Sequence, residues 1–206
     1  MEEIRTVKRE ASDELTEKKS VFIGYCAPVK TESEARDFIA KIKKKHADAR
    51  HNVSAYVLRG GIMHSSDDGE PSGTAGVPVL EVIRKNKVED TVVVVTRYFG
   101  GILLGAGGLV RAYSAAAKLA IDAAEIVTYV EFCDCEMVCS YGDYNDVLYR
   151  LGQFTVNMGE NEFAENVRLR FSVLAEEKDN LFGEIDTRFN GIYKANVVGK
   201  SFDVKR

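Results

Sequence analysis

Three carboxylates crowd residues 67–70, namely Asp67, Asp68 and Glu70, and a turn-rich stretch holding Ser72 and Thr74 follows them directly. Carboxylates repel phosphate, so such a group has three uses. It can hold Mg²⁺ that bridges to phosphate, touch a partner directly, or be consumed by neighbouring N–H groups and arginines. Thr74 stands where a helix N-cap is expected, and a helix start offers N–H donors and a positive dipole end. A second run, TRYFGGILLGAGGLVRAY at residues 96–113, sets Arg97, Tyr98 and Arg111 around Gly100, Gly101, Gly105, Gly107 and Gly108. Arginines beside exposed backbone N–H groups suit a phosphate or carboxylate. The alternative is a tightly packed loop whose arginines neutralise Asp67, Asp68 or Glu70.

Other chemistry has weaker support. GAGGLV at 105–110 departs from a dinucleotide fingerprint at its last position, and no phosphate-loop motif is present. Ser72 lies in no nucleophile elbow. His51 and His64 are candidate bases with no nucleophile beside them. Cys133, Cys135 and Cys139 share odd positions with Met137, which points to one buried strand face, with metal or redox use as the alternative. No motif calls for a cofactor, and the balance leans away from an enzyme.

The elements that must position these residues form two groups. Strands are predicted at 20–29, 52–60 and 91–99, the last a β-branched run buried on both faces. Helices are predicted at 31–46, 77–86 and 109–127, the first opened by Thr31 and Glu34 at capping-box spacing. That helix leaves Lys43, Lys44 and Lys45 on its polar side. From residue 129 the order is strand 129–140, helix 143–152, strands 154–159 and 165–173, helix 176–189 and strand 192–204. This βαββαβ order is ferredoxin-like, with Arg168 and Arg170 expected on the open face of the sheet. The fold class is α+β, with one domain at 1–128 and a second at 129–206.

The 206 residues are 45% hydrophobic and 29% charged, ordinary for a globular chain. No window is apolar enough to span a membrane. The polar, acidic first residues are read as no signal peptide, with the cytoplasm as default compartment. Residues 1–128 carry 19 Lys+Arg against 18 Asp+Glu, and residues 129–206 carry 9 against 14, so any nucleic-acid contact must be a local patch.

The segments DDGEPSGTAGVPVLEVI and VVVVTRYFGGILLGAGGLVRAYS, with KKSVFIGYCAPV and HADARHNVSAY upstream, resemble the IMPACT/YigZ family in order and spacing from about Lys18 to Ala124. The tail resembles the second domain of its bacterial members. The resemblance implies a first domain similar to the left-handed β-α-β fold of a small-subunit ribosomal protein and of the fourth domain of elongation factor G. The second domain is similar to that factor's fifth. Eukaryotic members regulate translation through a scaffold that activates the amino-acid-starvation kinase. The expectation is therefore a non-catalytic cytoplasmic binding protein that regulates translation by contacting ribosome or RNA. Its candidate contacts are Arg97, Tyr98, Arg111, Lys43, Lys44, Lys45, Arg168 and Arg170. The alternatives are a protein–protein adaptor using the glycine loops, or a Mg²⁺-dependent enzyme on a phosphorylated small molecule or nucleotide.

Overall fold

A computed structural model describes residues 3–204. It contains two compact units, one of residues Ile4–Thr128 and one built on the chain from Tyr129 onward.

After a first strand, β1 (Glu3–Val7), the N-terminal unit holds β2 (Ala11–Glu17), β3 (Ser20–Pro28), α1 (Glu32–Lys45), β4 (His51–Leu58), β5 (Ile62–Ser66), α2 (Gly76–Lys85), β6 (Thr91–Tyr98) and α3 (Gly105–Ala123). Its sheet runs β2-β3-β6-β4-β5, and every neighbouring pair is antiparallel. The central strand β6 is buried on both faces, as its unbroken β-branched run predicts. Val93 and Val95 face α2 and α3, packing with Phe22, Cys26, Val79, Ile83, Tyr113 and Ala116. Val92 and Val94 face α1, packing with Tyr25, Ala35, Phe38 and Ile42. Thr31 caps α1 by accepting the Glu34 N–H at 3.2 Å, and the Glu34 carboxylate accepts the Lys30 N–H at 2.6 Å.

Several details differ from the sequence reading: β1 was not foreseen, and residues 126 and 127, expected to end the third helix, are strand. β2 and β5 are strands in segments that carry no alternating apolar pattern, because both lie at sheet edges and are largely exposed. α3 starts four residues before the expected position. Gly105, Gly107 and Gly108 are its first turn and not a loop. Glycine is a poor helix former, but here tertiary packing decides. Gly108 lies against Leu104, and Leu109, Ala112, Tyr113, Ala116 and Ala120 bury one face of the helix.

The second unit contains β7 (Ile126–Cys139), α4 (Tyr144–Leu151), β8 (Val156–Met158), a short β9 (Glu162–Phe163), β10 (Val167–Leu174), α5 (Lys178–Arg188) and β11 (Asn196–Val204). Its strands lie in the order β11-β7-β10-β8, all antiparallel, with β9 added beside β10. This is the ferredoxin-like arrangement. Cys133, Cys135, Met137 and Cys139 share one face with Val167, Leu169, Phe171 and Val173, and α4 and α5 cover it with Val147, Leu151, Leu181 and Ile185. All four cysteines are free and buried.

Candidate functional site

The three acids of the first loop diverge to three sets of partners. Asp67 accepts the N–H groups of Gly73 at 2.8 Å, Ala75 at 3.1 Å and Gly76 at 2.7 Å. It thereby occupies the anion position at the start of α2. Burial works to raise its pKa, but those N–H groups outweigh burial and hold it below the usual carboxylate range. Thr74 is therefore not the expected N-cap. Its hydroxyl instead donates to the Pro71 carbonyl at 2.6 Å, and Ala75 takes the cap position without a side-chain bond.

Asp68 has a positive φ of 44° and reaches back toward α1 and β4. It pairs with Lys43 Nζ at 2.6 Å and accepts the Asn52 N–H at 2.7 Å. Its own carbonyl bonds His51 Nδ1 at 2.9 Å, which makes His51 a brace for the loop rather than a base. Glu70 is buried, and one oxygen accepts both Arg97 Nη1 and the Tyr113 hydroxyl at 2.7 Å. Burial first, and the Glu70 carboxylate second, push the Tyr113 phenol up. Among the described residues no group of three or more His, Cys, Asp or Glu converges on a metal position.

Arg97 is thus a buried partner of Glu70 and not a surface contact. Its guanidinium lies between the rings of Phe22 and Phe99, 5.4 Å from each centroid, and its Nε has no hydrogen-bond partner among the described residues. Tyr98, the next residue, belongs to a chain that the sequence reading missed. His46, at the C-terminal end of α1, lies 2.7 Å from the Tyr25 hydroxyl through Nε2 and 2.8 Å from the Tyr98 hydroxyl through Nδ1. Tyr98 in turn donates to Asp48 at 2.9 Å. Because Tyr98 spends its proton on Asp48, it accepts from Nδ1–H, and in neutral His46 the remaining Nε2 accepts the Tyr25 proton. The only signal in the sequence was a histidine closing a lysine-rich helix.

Burial, and then the Lys45 charge, lower the His46 pKa, against an opposing pull from Asp48. A lowered folded-state value means that the unfolded chain takes up the proton first. The stability contributed by neutral His46 is complete above its ordinary pKa of about 6.5 and is lost as pH falls through and below that value. Melting temperatures of wild type and His46→Asn between pH 7.5 and 5.5 should therefore converge as pH drops. Parallel curves would exclude this linkage.

The loop Phe99–Leu104 that follows is anchored at one end and open at its tip. Gly100 donates its N–H to Ser20 Oγ at 3.1 Å and lies against the Lys19 backbone. Gly101 and Gly105 have positive φ of 83° and 70° and bracket the tip. Phe99 is 48% exposed, Ile102 41% and Leu103 83%, and Val110 on α3 adds another exposed apolar side chain. The first turn of α3 has no side-chain cap and no acid. Arg111 is exposed, places Nη1 beside Gly107, and makes no ion pair among the described residues. Ser72 is exposed in the other loop.

The expected basic patches are mostly neutralised. Lys43 is committed to Asp68, Lys45 lies 4.7 Å over the Tyr25 ring, and Lys44 is exposed. In the second unit Arg168 and Arg170 do project from the face opposite Leu169 and Phe171, but they alternate with acids there. Arg168 pairs with Glu136 at 2.7 Å and Glu162 at 3.6 Å, and Arg170 pairs with Glu162 at 2.8 Å and Glu136 at 3.5 Å. Polyanion binding there would have to displace two carboxylates. Glu136→Gln with Glu162→Gln should accordingly create heparin retention that wild type lacks, with a salt slope of about 2. Unchanged elution would show that the arginines are unavailable for another reason.

Comparison with known proteins places these features in a lineage. Residues 18–121 match the Impact N-terminal domain, and residues 137–191 match a domain of unknown function, DUF1949. The chain is similar to IMPACT family member YvyE of Bacillus subtilis, 43% identical over 182 residues, covering 87% of this chain and 83% of that one. It is also similar to IMPACT family member YigZ of Escherichia coli, 33% identical over 77% of this chain and 79% of the relative. Protein IMPACT of Rattus norvegicus is 36% identical over 44% of this chain and 30% of its own length. A solved structure titled "Crystal structure of an hypothetical protein" aligns with a TM-score of 0.61 at 28% identity, covering 97% of this chain and 98% of that one.

Proposed function

The chain belongs to the IMPACT family, and from that premise we propose that it is a non-catalytic, cytoplasmic regulator of translation whose N-terminal unit docks a protein component of the ribosome through the Phe99–Leu104 loop. The observation that carries this reading is the loop tip, where Leu103 is 83% exposed beside exposed Phe99 and Ile102. Large apolar side chains held outward at a loop tip are a recognition feature, because a partner gains about 1.5–3 kcal/mol for each one it fully buries. The regulatory role of the eukaryotic members supports the assignment to translation. The neutralised state of Arg97, Lys43, Arg168 and Arg170 favours a protein contact over RNA.

Ribosome co-sedimentation across a KCl series tests this. Wild type should pellet with ribosomes, persist as salt rises, and lose about tenfold in affinity in Leu103→Ser. Because Leu103 is so exposed, that substitution leaves the core untouched. Equal binding by wild type and Leu103→Ser would overturn the role of the tip. A second reading, contact with an RNA phosphate, is favoured by one observation, Arg111, unpaired among the described residues, beside the bare start of α3. It predicts binding that falls steeply with salt and disappears in Arg111→Ala while surviving in Leu103→Ser.

A further inference from the structure

We infer that the segment bound by the Phe99–Leu104 loop is an acidic apolar peptide, in which a carboxylate next to large apolar side chains meets Arg111 while those side chains meet Phe99, Ile102 and Leu103. This inference rests on the docking reading above and specifies the chemistry of the partner.

Charge around the tip carries the argument. Residues 98–121 contain no Asp or Glu, although the chain holds 32 of them. Within that stretch Lys118 is paired with Asp122, which leaves Arg111 as a cation with no partner among the described residues. The guanidinium lies along the first turn of α3, next to Gly107, and Val110 is exposed immediately before it. The apolar tip and the cation are therefore contiguous along the chain from Leu103 to Arg111.

The two helix starts of this unit make the contrast plain. At α2 the chain supplies its own carboxylate, Asp67, with three N–H bonds. At α3 it supplies none, and the N–H groups of exposed Gly105, Ala106 and Gly107 add to the pull of Arg111 on a visiting anion. A carboxylate attached to apolar side chains satisfies both halves of the surface. A basic segment would satisfy one half and be repelled by the other, and selectivity follows from that repulsion.

The test uses the full ¹⁵N-labelled chain and two synthetic peptides with the same apolar side chains, one flanked by Asp and Glu and the other by Lys and Arg. The acidic peptide should shift the amide resonances of residues 102–111 and bind at least tenfold more tightly than its basic counterpart. Arg111→Gln should weaken it about fivefold to tenfold, and Leu103→Ser should weaken both peptides. Equal affinity for the two peptides, or no binding by either, overturns the inference. So does stronger binding of oligouridylate at the same amides. Loss of peptide discrimination with ribosome binding still dependent on Leu103 would remove the carboxylate and leave the docking reading intact. Discrimination without ribosome binding would keep the inference and remove the ribosome.

Discussion

Glu70→Ala should destabilise the N-terminal unit by about 3–5 kcal/mol, the cost of stranding a buried charge when its partner is removed. Arg97 would remain between the Phe22 and Phe99 rings with no carboxylate, and its Nε already lacks a partner. The Tyr113 hydroxyl, fully buried, would lose its acceptor as well. Calorimetry suits the measurement, since the chain has no tryptophan to report unfolding. Replacing the whole polar cluster by apolar groups, Glu70→Leu with Arg97→Met and Tyr113→Phe, should recover most of the stability, within about 1–2 kcal/mol of wild type. Failure of that recovery would mean that shape, and not the uncompensated charge, sets the cost. Arg111→Ala, on an exposed side chain with no ion pair among the described residues, should change stability by less than about 0.5 kcal/mol.

Two glycines of the same run should respond to alanine in opposite directions. At Gly100 an added Cβ would fall 2.0 Å from the Lys19 carbonyl carbon and oxygen and 2.4 Å from the Ser20 nitrogen. Those atoms belong to the turn joining β2 to β3, where Lys18 and Lys19 already hold positive φ of 46° and 66°. Neither the turn nor the strand can yield cheaply, so Gly100→Ala should cost about 2–3 kcal/mol or more. Gly107 is exposed in the first turn of α3, and its Cβ would meet only the flexible end of Arg111 at 3.6 Å. Gly107→Ala should therefore stabilise the unit by about 0.5–1 kcal/mol through helix propensity alone. Equal effects at the two positions would show that the run behaves as one loop, against the helical start described above.

The second unit was legible almost whole, because its strands alternate cleanly. Cys133, Cys135 and Met137 pair across the sheet with Val173, Phe171 and Leu169, and two amphipathic helices cover that single apolar face. In the first unit the central strand was equally plain, whereas β2 and β5 were hidden. An edge strand that is largely exposed, with only Ala11 and Leu15 of β2 half-buried against the core, carries too little periodicity for a pattern to find. Gly105 to Gly108 read as a loop because local propensity says so, and only the contacts of α3 with the sheet overrule it.

The site was legible in its cast and not in its pairings. Asp67 takes neighbouring N–H groups and Glu70 takes Arg97, as the internally satisfied alternative expects, whereas Asp68 takes Lys43 and the Asn52 N–H instead of an arginine. Arg97 meets Glu70 across 27 positions of sequence, and Arg111 meets no acid among the described residues. Nothing local distinguishes the two arginines. His46 joins Tyr25 and Tyr98 across 21 and 52 positions, a relation that exists only once β3, β6 and α1 are assembled.

The buried cysteines have a practical side. Reaction with a maleimide needs an accessible thiolate. Burial pushes the Cys135 thiol up to about 11, raises Cys139 as well, and encloses Cys26 and Cys133 in the cores of their units. All four native thiols are therefore quiet toward such reagents while the protein is folded. A cysteine placed at position 103 would stand alone as the reactive one, so a single fluorophore could be attached at the loop tip without first stripping the chain of its own sulfur.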